Sequence, residues 1–318
     1  MRASNAAMNE APLAGDLGVL LIGHGSVESV EEIPAFLAQI RRGRPTPPSI
    51  VEEVAHRWKA IGGSPLLGIC KAQAAALEAR LGVPVRTGMR LWKPWAREVV
   101  AELGALGAQR IVSLPLAPYS VDLYNEAAAE ACATIGARCL RSAPWGETPA
   151  LVDAFATEIA RAIRDGAIPS GAARAEARVL LTAHSLPTRV IRSGDRYEAE
   201  VRATAAAVTA RLAQLEGHAR EVRVAFQSQG MDGGDWLGPN LPESFASLAA
   251  SGAKDVVVCA IGFLADHTEV LFDLDVEAKA QAASAGLRMH RAASLNVAPR
   301  FIDALEAVAR RAIADDPG

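Results

Sequence analysis

One apolar string ending in a histidine occurs twice in this chain of 318 residues. Val19-Leu-Leu-Ile-Gly-His24-Gly is echoed by Val179-Leu-Leu-Thr-Ala-His184-Ser, and Gly107-Ala-Gln-Arg-Ile-Val-Ser-Leu-Pro-Leu116 by Gly252-Ala-Lys-Asp-Val-Val-Val-Cys-Ala-Ile261, in the same order. Order kept across a duplication means that both halves must fold alike, as two copies of one βα unit. Short apolar runs alternate with amphipathic stretches throughout, the pattern of an α/β protein with parallel sheets. The strands expected are Leu17 to Gly23, Val83 to Met89, Arg110 to Leu116, Arg178 to Ala183, Arg220 to Gln227 and Asp255 to Phe263. Ser49 to Ile61 and Pro94 to Leu106 read as helices, the first with a Ser49/Glu52 capping box and the second with proline in its first turn. Gly, Pro, Ser and Ala gather between Asp165 and Ala175, so a linker there divides residues 1–168 from 169–297.

In parallel α/β sheets ligands gather beyond the carboxyl ends of the strands. His24 and His184 both follow the first strand of their half. If the halves face each other the two imidazoles line one cleft; otherwise each is a loop or core residue. The run Gly262-Phe-Leu-Ala-Asp-His-Thr-Glu-Val-Leu-Phe-Asp-Leu-Asp-Val-Glu277 passes from a strand into an acidic helix, with Asp266 its expected N-cap. Glu269, Asp273 and Glu277 recur every four residues on one helix face, about 6 Å apart. Like charges so placed repel, so the row is either a solvated face or a track for a partly hydrated divalent metal.

Other loops reach the same edge. Arg41-Arg-Gly-Arg-Pro-Thr-Pro-Pro48 combines three guanidiniums with helix breakers, giving an exposed loop that is either simply solvated or ready for carboxylates or phosphates. Arg57, Trp58 and Lys59 precede a Gly-Gly turn that lets backbone approach a flat ligand closely. Trp92, Tyr119 and Tyr124 can serve as apolar walls or as core.

With 33 basic and 36 acidic side chains the net charge is −3, and no basic run suits nucleic acid. Met1 to Asp16 lacks the form of a signal peptide, and the longest apolar run, Val256 to Ala265, is too short to cross a bilayer. A cytoplasmic protein is expected. Cys70, Cys132, Cys139 and Cys259 are scattered without metal-site spacing, so no cysteine-held metal or iron–sulfur cluster is expected.

Five segments together resemble the ferrochelatase family from about Leu17 to Ala312. They are Lys59-Ala-Ile-Gly-Gly-Ser-Pro-Leu66, Gly88-Met-Arg-Leu-Trp-Lys-Pro94, Ala183-His-Ser-Leu-Pro187, Phe226-Gln-Ser228 with Trp236-Leu-Gly-Pro239, and Gly262-Phe-Leu-Ala-Asp-His-Thr-Glu269. Ile40-Arg-Arg-Gly-Arg44 and Val121-Asp-Leu-Tyr-Asn125 are most similar to its coproporphyrin branch. The resemblance implies two Rossmann-like domains with parallel four-stranded sheets, a tetrapyrrole cleft between them, a C-terminal helix within 298–318 packed on the first domain, and a monomer. It implies insertion of Fe2+, as substrate, into a porphyrin in haem biosynthesis, with no prosthetic group.

By position, His184 and Glu269 match the family's metal-binding, proton-handling pair. Asp273 and Glu277 match an outer metal track on a helix with a π-type distortion. Arg41, Arg57, Trp58, Ser64 and Tyr124 match tetrapyrrole contacts. Trp58 replaces a tyrosine of the family, His24 stands where its coproporphyrin branch usually has a tyrosine that ligates the product iron, and the loop after Pro118 is shorter. Leu20-Leu-Ile-Gly-His-Gly-Ser26 is also similar to the start of sirohydrochlorin chelatases, so a cobalt or iron chelatase of that type, a protoporphyrin IX enzyme and a non-catalytic porphyrin carrier are the competing readings.

Overall fold

The computed structural model describes residues 15–166, 168–229 and 234–316. The reading of the N-terminal residues lies, for residues 1–14, outside them. β1 (Leu17–Gly23), β2 (Val85–Met89), β3 (Arg110–Pro115) and β4 (Arg138–Arg141) form one parallel sheet in the order β2-β1-β3-β4. β5 (Arg178–His184), β6 (Val222–Gln227), β7 (Asp255–Ala260) and β8 (Arg288–Arg291) form a second in the order β6-β5-β7-β8. The duplicated strings occupy β1 and β5, the second pair β3 and β7, so the repeat is a repeat of topology.

Alternation along the strands decides which layer each residue joins. Leu20, Ile22 and Ile111 pack with Val100 and Leu103 of α4 (Ala96–Ala105) and Ala128 of α5 (Asp122–Ala133). Leu180, Val256 and Val258 pack with Phe245 of α10 (Leu241–Ala250) and Ala282 of α12 (Lys279–Ser284). The intervening residues, Val19, Leu21, Val112, Val179, Leu181 and Val257, meet in a single core. That core includes Leu77 of α3 (Leu66–Leu81), Phe155 of α6 (Pro149–Asp165), Val208 of α9 (Tyr197–Glu216) and Phe301 of α13 (Pro299–Ala314). Each central strand is covered on both faces, which is why β1 and β5 read as unbroken apolar runs. α13 returns to the first half: Phe301 stacks on Trp145 at 6.4 Å, and Arg300 and Arg80 form ion pairs with Asp153 and Asp303.

Several local expectations are corrected. β4 and β8 were not among the strands read from the pattern; each is four residues long with arginine at both ends and lies at a sheet edge. Pro47 occupies the N-cap of α2 (Pro48–Ala60) and makes no side-chain cap, so Ser49 and Glu52 form no capping box. Pro94 lies before α4, where its carbonyl accepts from Met89 N–H at 2.7 Å instead of opening the helix. The linker region holds the end of α6 and the short α7 (Ala172–Glu176). No helix among the described residues is long and apolar enough to cross a membrane.

Candidate active site

His184 is the last residue of β5 and His24 the first after β1, so the doubled topology delivers one imidazole from each half to the same edge. The polypeptide around each is fixed by the segments singled out in the sequence. Leu91 N–H donates to the His24 carbonyl at 2.9 Å, and Tyr197 Oη donates to the His184 carbonyl at 2.9 Å. Ser185 Oγ donates to Leu237 O, and Leu237 N–H returns a bond to Leu186 O, both at 2.9 Å, so Ala183–Pro187 and Trp236–Pro239 are one structure. Gly262 crosses β5 just before His184. A Cβ there would stand 2.7 Å from Ala183 Cα, which is why the turn out of β7 carries glycine.

The acidic stretch begins with α11 (Thr268–Leu271). Its N-cap is His267, whose Nδ1 accepts from Glu269 N–H at 3.2 Å, and not Asp266. Asp266 accepts instead from the Ser294 hydroxyl at 2.7 Å and the Asn296 amide at 2.9 Å, an attachment to a loop thirty residues away that spacing cannot show. A π-helical segment, Asp273–Ala278, follows, with Glu277 N–H bonded to Phe272 O at 3.0 Å. On an α-helix a four-residue step overshoots a full turn by about 40°. The wider π turn offsets that drift, which keeps the acidic row on one face.

His184 Nε2 lies 3.6 Å from Glu269 Oε2, and its Nδ1 lies 2.5 Å from the Ser185 carbonyl. A carbonyl only accepts, so the proton sits on Nδ1 and Nε2 presents its lone pair. Burial alone would lift the Glu269 carboxyl, but His184, His267, His24 and Arg57 together hold it below the usual carboxylate range. The Glu269 side chain is 45 % exposed, while its Oε2, the oxygen nearest His184, is buried without a hydrogen-bond partner. Burial pushes the His24 and His267 imidazoles down, with Glu269 opposing in both cases. Phe263 lies between the rings of His184 and His267, with centroids 6.4 and 4.7 Å away.

The remaining residues fall into two groups. Asp273 is 7 % exposed, and burial pushes its carboxyl up to about 6, with Glu269 and Glu277 adding to the rise and Ser228 and Arg57 opposing it. Arg57 Nη1 reaches Asp273 Oδ1 at 3.1 Å and Nη2 reaches Glu277 Oε1 at 3.3 Å. Arg57 thus spans from α2 to the acidic row of the other half. Among the described residues no three His, Cys, Asp or Glu side chains are gathered into a metal cage, so His184 with Glu269 is a pair and Asp273 with Glu277 a row already holding a cation. Around α2, Trp58 Nε1, Ser64 Oγ and Thr46 Oγ1 are buried without hydrogen-bond partners. Arg41 lies at the end of α1 (Ile33–Ile40), its loop folded back through a 3.2 Å bond from its Nε to Pro45 O. Tyr124, in the first turn of α5, lies under the Arg90 guanidinium, 6.0 Å from ring centre to cation.

His267, Arg90, Ser228 and Tyr197 were missed as site residues. The first three lie inside the segments that carry the resemblance, so the signal was present in their position. Tyr197 opens an otherwise ordinary helix and gave none.

A model of the family described as Ferrochelatase matches residues 16–313. A ferrochelatase of Acidobacterium capsulatum is 36 % identical over 92 % of this chain and 93 % of its own length. A coproporphyrin III ferrochelatase of Mycobacterium avium is 35 % identical over 89 % of this chain and 84 % of its own. The structure of SirB from Bacillus subtilis with Fe3+ superposes with a TM-score of 0.57, covering 94 % of this chain and 96 % of that one; at 16 % identity this concerns the fold. The chain belongs to the ferrochelatase family of metal-insertion enzymes.

Proposed function

We propose that this enzyme inserts Fe2+ into coproporphyrin III, acting as a monomer in the cytoplasm. The observation that carries the reaction is the His184–Glu269 pair, an imidazole lone pair beside an ionised carboxylate at the strand ends of the cleft. Insertion requires a macrocycle to lose two N–H protons as the metal sheds water. His184 Nε2 can give its lone pair to one partner at a time, a pyrrole proton or the arriving iron. Glu269 supports either role, because its charge stabilises an imidazolium and is itself a hard donor.

The substrate reading rests on charge and on unfilled hydrogen bonds. Arg42 and Arg44 are exposed and Arg41 half-buried on one cationic loop, and Trp58, Ser64 and Thr46 hold buried polar atoms without partners. A tetracarboxylate offers twice the acceptors of a dicarboxylate, and relatives about as similar as those called simply ferrochelatase bear the name coproporphyrin III ferrochelatase. The test is anaerobic turnover with Fe2+ and coproporphyrin III, protoporphyrin IX or sirohydrochlorin. A higher kcat/KM for coproporphyrin III is expected; equal or faster use of protoporphyrin IX overturns the preference. One observation favours sirohydrochlorin: His24 and His184 offer an imidazole from each half, and turnover of that substrate alone would establish it.

A further inference from the structure

Arg57 is the meeting point of two demands that cannot be met together. Its Nε lies 2.7 Å from Glu53 Oε1, its Nη1 3.1 Å from Asp273 and its Nη2 3.3 Å from Glu277, while Phe272 lies 5.1 Å beneath. Each nitrogen of the fork already faces a carboxylate. By the resemblance, the same residue contacts the tetrapyrrole, and Asp273 and Glu277 belong to the outer metal track. Glu53 sits one turn away on the same helix and moves with Arg57. The partners that can be given up are therefore those of the opposite half.

We propose that Arg57 is an exchangeable counter-cation: it neutralises Asp273 and Glu277 in the empty enzyme, and a tetrapyrrole carboxylate draws it away, so that the outer carboxylates take a divalent metal only once the tetrapyrrole is seated. A fork pairs as well with a planar substrate carboxylate as with the two it leaves. Removing the guanidinium leaves Glu269, Asp273 and Glu277 as adjacent like charges on one face, an arrangement that a divalent cation relieves. The π turn keeps them aligned for it. The device makes Arg57 a positioning residue that sets the order of binding and keeps loose metal off the empty site.

The inference rests on the cleft being a tetrapyrrole site, so its test measures binding and needs no turnover. Mn2+ binding is followed by the loss of its free electron-spin resonance signal, with the protein empty or loaded with zinc coproporphyrin III or zinc protoporphyrin IX, whose centres are already filled. Loading should tighten Mn2+ binding by roughly tenfold or more, as is usual for coupled sites. Empty Arg57→Gln protein should already bind Mn2+ at the tightened level and gain nothing on loading. Arg57→Lys, which keeps a cation but not a fork, should fall between, and Asp273→Asn with Glu277→Gln should abolish the effect. Mn2+ affinity that ignores loading in the parent, or that Arg57→Gln leaves unchanged, overturns the exchange. Coupling seen only with the protoporphyrin supports the exchange and sinks the coproporphyrin preference; binding of neither porphyrin overturns both.

Discussion

His184 Nε2 stands 3.6 Å from Glu269 Oε2 while its other ring nitrogen is tied to the Ser185 carbonyl. The distance is too long for a hydrogen bond, so neither group consumes the other's donor capacity. Truncating either should therefore remove chemistry and spare binding. His184→Ala and Glu269→Ala should each lower Fe2+ insertion by about 10²–10⁴-fold. Porphyrin fluorescence quenching should give a Kd near that of the parent. Loss of tetrapyrrole binding in both variants would make these residues structural.

Asp273 predicts a pH signature in stability. Its carboxyl rises from the ordinary 3.8 to about 6 in the folded protein, mainly through burial. The folded state therefore holds this proton more tightly than the unfolded chain does, and stability falls as pH climbs from about 4 through 6. A rise of that size costs on the order of 3 kcal/mol once the group is ionised. Asp273→Asn should remove that slope from the curve of Tm against pH and be the more stable variant above pH 7. An unchanged slope would place the titration elsewhere.

Two tyrosines from opposite halves brace the backbone under the catalytic pair. Tyr119 Oη donates to Ile261 O at 3.1 Å, Tyr197 Oη donates to His184 O at 2.9 Å, and their rings meet edge to face at 5.8 Å. Tyr197→Phe keeps the ring but leaves the His184 carbonyl without that donor, a loss of about 1–3 kcal/mol. Lower kcat with little change in KM is expected, together with a lower Tm. A stability loss without a kinetic effect would show that the bond does not set the His184 position.

Gly262→Ala tests the same position from the other side. The added methyl meets Ala183 Cα and Cβ at 2.7 Å, backbone and a stub that cannot swing away. The end of β5 must shift, at about 1–3 kcal/mol. Insertion should fall more than tetrapyrrole affinity does, as read by kcat and Kd; a fully active variant would mean that the strand absorbs the methyl without moving His184.

How much of this was legible depends on the range of the interaction. The buried strands and their duplication were readable because a strand covered on both faces must be apolar throughout, as β1 and β5 are. β4 and β8 were not, since Arg138-Cys-Leu-Arg141 and Arg288-Met-His-Arg291 have one apolar residue or two among charges. Spacing marked Glu269, Asp273 and Glu277 as a row, but it could not reveal that Arg57, 216 residues from Asp273, fills it. Cys132 and Cys139 looked scattered and are in fact neighbours, each thiol shifting the other, because the turn after α5 brings β4 back beside it.

The last prediction concerns His24, which should bind iron in the product complex. Burial keeps its imidazole neutral at pH 7, so its lone pair is available. It leaves β1 at the edge where His184 leaves β5, so the two imidazoles approach a bound tetrapyrrole from opposite halves. By resemblance the coproporphyrin branch usually has a tyrosine at this place, and a phenolate favours ferric iron, whereas a neutral imidazole suits ferrous iron. The product bound to the parent should show a histidine-ligated spectrum in both oxidation states, and release should be slow. His24→Ala should lose that signal and release product faster, and His24→Tyr should keep ligation only in the ferric state. Identical spectra in parent and His24→Ala would mean that the residue serves only its own turn, where Leu91 holds its carbonyl.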